Sequence, residues 1–338
     1  MSASSQSERS GRSFRGMFIL LGIIVLLAAV YTGGWFYAAS ALKTNVLRAL
    51  GKQDAAGFTG QCTDLNQQGF PFRIGLTCSK VQIDDHVRGV SAVFDNLNAS
   101  ARVYTPGNID WQLNSPAEIR TSQGLTISSE WTALQSTLVT RGNGIEQGAT
   151  TINGLKTSVV SAATGQTLNF TADKTEIHVR QNGDDLEAVF EVKNSNAVIQ
   201  DFPQLPALAA SVDITLSGKA GLLDGSEKDG RGLFGAAGIL RHVTADIGDG
   251  RIMTLSGPFS FDDDGYVTGQ FKLEIQKIGH WRDSIKQAIP AAKQTVDMAG
   301  KLLKSLAAGT DRVSIDLTVE HGAVTLSGFI PLGRIPPI

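Results

Sequence analysis

The sequence is poor in cysteine, histidine and charge: two Cys and five His in 338 residues, with Asp, Glu, Lys and Arg at only 18%. Two cysteines exclude a disulfide-dense scaffold and any Cys-rich metal centre. The 30 basic residues are balanced by 32 acidic ones for a formal net charge of −2, and the first fifteen residues carry +2, leaving −4 for the remainder. A nucleic-acid binder would show a basic face, so nucleic acid is not expected as a partner. His86, His178, His242, His280 and His321 form neither HExxH nor any close pair, and no GxSxG occurs. Metalloprotease and serine-hydrolase signatures are therefore missing. No catalytic residue, metal ligand or cofactor is expected, and each histidine reads as a surface or rim residue. Apart from the Ser-rich residues 1–13, no tract has a disordered composition.

What the chain does hold is one long uncharged run, 27 residues from Gly16 to Leu42. As a helix rising ~1.5 Å per residue it reaches ~40 Å, enough to cross a hydrocarbon layer of ~30 Å with some tilt. Arg9, Arg12 and Arg15 precede it against the single acid Glu8. That excess keeps a short N-terminal side in the cytoplasm and predicts export of the rest. Ala38-Ala39-Ser40-Ala41 offers the small residues of a signal-peptidase site. The run is longer than an h-region of ~7–15 residues and ends in bulky aromatics, which favours an uncleaved anchor. Tyr31, Trp35, Phe36 and Tyr37 suit an interfacial aromatic belt.

The roughly 295 residues that follow are enough for one large domain or two ordinary ones. Their two cysteines, Cys62 and Cys78, are read most simply as an exported disulfide, worth ~3 kcal/mol in the chain-entropy picture. Two free thiols or half of a metal site are the alternatives; His86 has no obvious companion for the latter.

Strands dominate the body. Val267, Gly269, Phe271, Leu273 and Ile275 alternate with Thr268, Gln270, Lys272 and Glu274, and residues 313–320 repeat the pattern. Period-two patterning marks a sheet with one face covered and one wet. Asn182-Gly183-Asp184, Asp249-Gly250, Asp264-Gly265 and His321-Gly322 fit tight hairpins. ITLSG at 214–218, MTLSG at 253–257 and VTLSG at 324–328 read as one hairpin unit reused, each run ending at Ser-Gly.

Helices are few. Residues 39–50 extend the anchor to a C-cap at Gly51. A later helix over 281–306 carries one apolar stripe, Trp281, Ile285, Ile289, Ala292, Val296, Ala299, Leu303 and Leu306, which Pro290 should kink or split. The expected organisation is a cytoplasmic tail (1–15), a transmembrane anchor (16–42), a β-rich lobe (43–205) and a second β-rich lobe with the helix (206–338). The Pro-bearing 201–210 marks the boundary. The fold class is mainly β with minor α: a large antiparallel sheet, curved or two-lobed.

Three motifs invite over-reading. FDDDG at 261–265 has consecutive acids and no twelfth-position Glu, so it is an Asp-Gly hairpin and no calcium loop. Gly142-Asn143-Gly144 with Gly148 lacks a following helix and is a turn. Ser40 to Lys43 has the Ser-x-x-Lys spacing of some hydrolases without the companion motifs.

Between the cysteines stands Gly69-Phe70-Pro71-Phe72-Arg73-Ile74. Gly69 and Pro71 make a bend or edge-strand start, and Phe70 and Phe72 can bury against the sheet and the cysteine pair. With GPFSFDDDGYVTGQFKLEI at 257–275 and the closing VTLSGFIPLGRIPPI, this segment resembles the alphaproteobacterial envelope family called domain of unknown function 2125. The resemblance covers nearly all of 43–338 and implies class and location without an activity. A looser similarity links the anchor, the amphipathic strands and the late helix to AsmA-like envelope proteins, which implies an apolar groove for lipid.

The expected function is a periplasmic scaffold or assembly factor without enzymatic activity, held in the bacterial inner membrane by a single pass. Its partners are that membrane and either lipid or another envelope protein. A lipid-binding or lipid-transfer module is the alternative, and an envelope hydrolase the third reading. Whether the 281–306 helix covers the apolar sheet face decides between a closed core and an open groove.

Overall fold

A computed structural model describes residues 10–52, 58–86, 89–141, 144–200, 206–224, 226, 231–288, 293–307, 309–328 and 330–338. Helix α1 (Ser10–Lys52) is continuous and passes through Gly51, where a cap was expected. Its span Phe18–Thr44 is long and apolar enough to cross a membrane.

Every strand that follows belongs to one antiparallel up-and-down ladder. β1 (Phe58–Thr63) and β2 (Asn66–Gln68) lie end to end along β3 (Arg73–Asp85), which pairs with β4 (Val90–Arg102), and β4 with β5 (Thr105–Thr121). β6 (Leu125–Glu130) and β7 (Ala133–Arg141) share the next position, each pairing with a different half of β5 and of β8 (Gly144–Ser161). β9 (Thr167–Asn182), β10 (Asp185–Ile199), β11 (Leu208–Leu216), β12 (Ala237–Asp246), β13 (Ile252–Phe261) and β14 (Val267–Gln276) continue one by one. β15 (Arg312–Glu320), β16 (Ala323–Leu326) and β17 (Ile330–Arg334) complete it. Of the boundary expected at 201–210, residues 201–205 lie outside the described residues; 208–210 already belong to β11, which pairs directly with β10.

Local chemistry accounts for the turns. His321 and Gly322 both have positive φ, 45° and 77°, as a two-residue hairpin with matching twist requires. In the Asp264-Gly265 hairpin, Oδ1 of Asp262 accepts the N–H groups of Asp264 and Tyr266. Ser-Gly closes a strand after β11 and after β16, but the middle copy is different. Ser256 and Gly257 sit inside β13, where the register with β12 shifts. Gly257 has φ 152°, and a Cβ there would stand 2.1 Å from the Gln270 carbonyl oxygen. The β13–β14 crossing therefore needs glycine at this point, and the sequence echo does not mark three equivalent hairpins.

Alternation sorts the side chains onto two faces. One cross-strand row runs Cys78, Leu97, Leu113, Leu134, Ile152, Thr175, Val192, Ala210, Ala245, Met253, Ile275, Val313, from β3 to β15. All but Thr175 are apolar, and all are buried or half-buried. The buried clusters around Ile275 and Leu216 lie on this face, which is therefore the inner one. The outer face carries ion pairs such as Lys174–Glu176, Lys193–Glu176 and Lys272–Glu274.

Short helices close parts of the inner face. α2 (Gly221–Asp224) brings Leu222 and Leu223 onto Leu186, Leu216 and Phe259. α3 (Ile278–Ala288) and α4 (Lys293–Leu306) place Ile278, Trp281, Leu302 and Leu303 on Ile275, Val313 and Ile315. The stretch expected as a helix kinked or split by Pro290 carries two helices, α3 and α4, while Ile289, Pro290 and Ala292 lie outside the described residues. The stripe is corrected at its end: Ala299 and Leu306 are exposed, while Gly300 and Ala307 face inward. A Cβ on Gly300 would come within 2.9 Å of Cδ of Arg282, so glycine lets α4 lie close on α3.

Candidate functional site

The helices leave part of the inner face uncovered. Between α3 and strands β9 to β13 lies a cavity of about 320 Å³, in the size range of small-molecule sites. Phe170, Ala197, Leu208, Ile247, Met253 and Trp281 supply most of its wall. These residues meet because alternate positions of adjacent strands share a face and α3 turns back across it. Its hydroxyls are already engaged: Ser195 Oγ donates to the Leu208 carbonyl at 2.7 Å, and Ser284 Oγ accepts from Arg251 at 3.2 Å. The buried indole N–H of Trp281 has no hydrogen-bond partner among the described residues. Such a lining suits an apolar ligand and offers no general acid, base or nucleophile.

Between the α2 and α3–α4 caps, Phe190 lies on the same inner face and is nevertheless 41% exposed. The inner face is therefore exposed to solvent at Phe190.

A second hollow lies on the other face. Glu187 is held by Asn182 at 3.0 Å, Arg180 at 2.5 Å and Arg241 at 3.2 Å. The Asn182 amide first, then the two guanidiniums, pull its carboxyl down to about 2. Arg241 also pairs with Asp213 at 2.9 Å, which raises the guanidinium's already high pKa. His178 lines this hollow, but no Ser, Thr or Cys does. Among the described residues, no three His, Cys, Asp or Glu side chains converge as metal ligands.

The residues singled out in the sequence gather elsewhere, beside α1. Cys62 and Cys78 are disulfide-bonded, with Cα atoms 5.5 Å apart, and Leu65 and Leu76 pack around them. Gly69 adopts φ 102°, and a Cβ there would stand 2.8 Å from the Arg73 carbonyl oxygen, which explains glycine at the start of this turn. The expected burial of Phe70 and Phe72 against the sheet is overturned. Phe70 packs instead on α1, edge-on to Trp35 at 5.3 Å and stacked on Phe36 at 5.9 Å. Phe72 is 70% exposed. The reason is the turn's direction: it leaves the ladder towards the helix, so its aromatics find the helix first.

Along α1, residues one turn apart form the matching stripe. Tyr31 Oη donates to the Pro71 carbonyl at 2.5 Å, Trp35 Nε1 to the Arg73 carbonyl at 2.8 Å, and Lys43 Nζ to the Leu65 carbonyl at 2.8 Å. Ala39, fully buried, fills the position between. Trp35 is buried in this seam, so of the four expected belt aromatics it serves docking and does not face outward. The cavity residues were not legible as a site; only their apolar strand positions were.

No curated protein and no solved structure matches the chain. The profile of the DUF2125 family, described as uncharacterized proteins conserved in bacteria, matches residues 35–336. That match takes in the α1 seam from Trp35 onward, the disulfide and the whole ladder, and the chain belongs to this family.

Proposed function

We propose that this protein is a membrane-anchored, non-enzymatic lipid-binding module of the cell envelope, whose inner groove takes an acyl chain of a phospholipid. The observation that carries it is the apolar cavity between α3 and the sheet, on the same face as the exposed Phe190. A soluble protein ordinarily covers such a face, and a lipid chain covers it at no cost in buried polar groups. The span Phe18–Thr44 holds this body beside a source of that ligand. The disulfide fits an oxidising compartment, so the body is read as periplasmic and the N-terminus as cytoplasmic.

The test is photocrosslinking of the full-length protein in vesicles containing a phospholipid with a diazirine on its acyl chain. Label is expected on peptides bearing Phe170, Met253 or Trp281, and is expected to be lost there when Ala197→Trp fills the cavity. Label confined to residues 16–42 would overturn the proposal and return the molecule to a scaffold reading.

A further inference from the structure

Three aromatic side chains stand out at one end of the ladder. Phe70 is 49% exposed, Phe72 70% and Tyr104 70%. They come from two neighbouring turns, β2–β3 and β4–β5, which are joined by the N–H of Val103 donating to the Phe72 carbonyl at 3.0 Å. Directly behind them, exposed Arg73 and Arg102 are cross-strand partners. A row of exposed aromatics backed by two arginines is the chemistry of a membrane–water interface.

The height of this patch along α1 says where it sits. The uncharged run extends from Gly16 to Leu42, and a hydrocarbon layer of ~30 Å takes ~20 helical residues. The layer can therefore begin no earlier than Gly16, which puts its outer boundary near Phe36, and any later start moves that boundary further out. Tyr31, bonded to Pro71, then lies at least ~7 Å inside the boundary, and Trp35, bonded to Arg73, lies at it. Choosing the earliest start brings Arg102 and Arg73, whose guanidinium also reaches Asp110 at 3.9 Å, to headgroup level, where phosphates complete their neutralisation. It also brings Phe72 below them, among acyl chains.

We infer that the turns carrying Phe70, Phe72 and Tyr104 are a second membrane contact, dipping into the outer leaflet beside α1 with Arg73 and Arg102 at the lipid phosphates. The partner is a lipid surface, and the consequence is orientation. The single span alone leaves the body free to swing, whereas a span plus an inserted turn fixes which end of the ladder faces the bilayer. This rests on α1 crossing the membrane, and not on the cavity holding lipid.

Spin labels introduced by Val25→Cys, Phe72→Cys, Tyr104→Cys and Thr164→Cys, one at a time without reductant so that the native disulfide stays closed, test it in the full-length protein reconstituted in phosphatidylethanolamine–phosphatidylglycerol vesicles. Thr164 sits exposed in the β8–β9 turn, at the opposite strand ends. Labels at 25, 72 and 104 should be severalfold less accessible to a water-soluble nickel relaxant than at 164, and more accessible to oxygen. A label at 25 in lipid with those at 72 and 104 as wet as 164 would overturn the insertion while leaving the anchor intact. A wet label at 25 would overturn both.

Discussion

Cys78 of β3 and Val313 of β15 are the two ends of a single cross-strand row, joined rung by rung through ten intervening strand positions. The disulfide at one end and the α3–α4 cap at the other therefore belong to one continuous apolar layer. A change in the row is felt as a change in the packing of the whole inner face, because its neighbours cannot rotate away from a pleated ladder.

Thr175 is the one polar member of that row. It is 3% exposed, and its hydroxyl has no hydrogen-bond partner among the described residues. Thr175→Val keeps the shape and removes the buried polar group, so it should stabilise the fold by about 1 kcal/mol. Denaturant midpoints of the two proteins measure this, and a destabilised variant would mean the hydroxyl has a role.

Leu303 of α4 packs on the cluster around Ile275 and Val313. Leu303→Asp should lower stability by ~3 kcal/mol or more, because it sets an unpaired charge against an apolar layer. Exposed Leu306 provides the control: Leu306→Asp should change the melting temperature little. Equal effects at both positions would contradict the placement of the helix.

Gly257 is held at φ 152° with the Gln270 carbonyl where a Cβ would go. Gly257→Ala should cost ~3 kcal/mol through strain and displacement of β14. Gly183, in a hairpin with open space around it, should tolerate alanine with only the smaller cost of its φ of 62°. Thermal melts of the two variants rank them.

The acid limit of stability has a nameable contributor. Glu187 titrates near 4.5 ordinarily and at about 2 in the fold, held down by Asn182, Arg180 and Arg241. A depressed folded-state pKa stabilises fully above the unfolded value, and that stability is lost as pH falls from about 4.5 towards 2. Glu187→Gln should therefore be less stable than the native protein at neutral pH, with a shallower decline over that acid window. Parallel slopes in pH-resolved melts would remove Glu187 from the account.

Much of the ladder was legible because antiparallel strands write their two faces into alternate residues. The hairpins at 183–184 and 321–322 were legible because positive φ demands Gly or Asn-like chemistry at known offsets. The late helix was legible from its stripe, but its register was not: Gly300 replaces Ala299 on the inner side because α4 must approach Arg282 closely. The middle Ser-Gly looks like the other two in sequence because a bulge and a turn ask for the same residue. Phe70 and Phe72 were misplaced because hydrophobicity says that a side chain will be covered, and not by what.

By itself the sequence determined the long apolar N-terminal helix, the strand-rich class, the balance of charge and the cysteine pair, since each is a property of composition or of spacing along one segment. Only the tertiary structure decided which apolar positions are covered by α2, α3 and α4 and which line the cavity or stay exposed. It alone aligned Tyr31 with Pro71 and Trp35 with Arg73. Those facts depend on how a curled sheet and a helix meet across tens of residues, and no local pattern encodes that meeting.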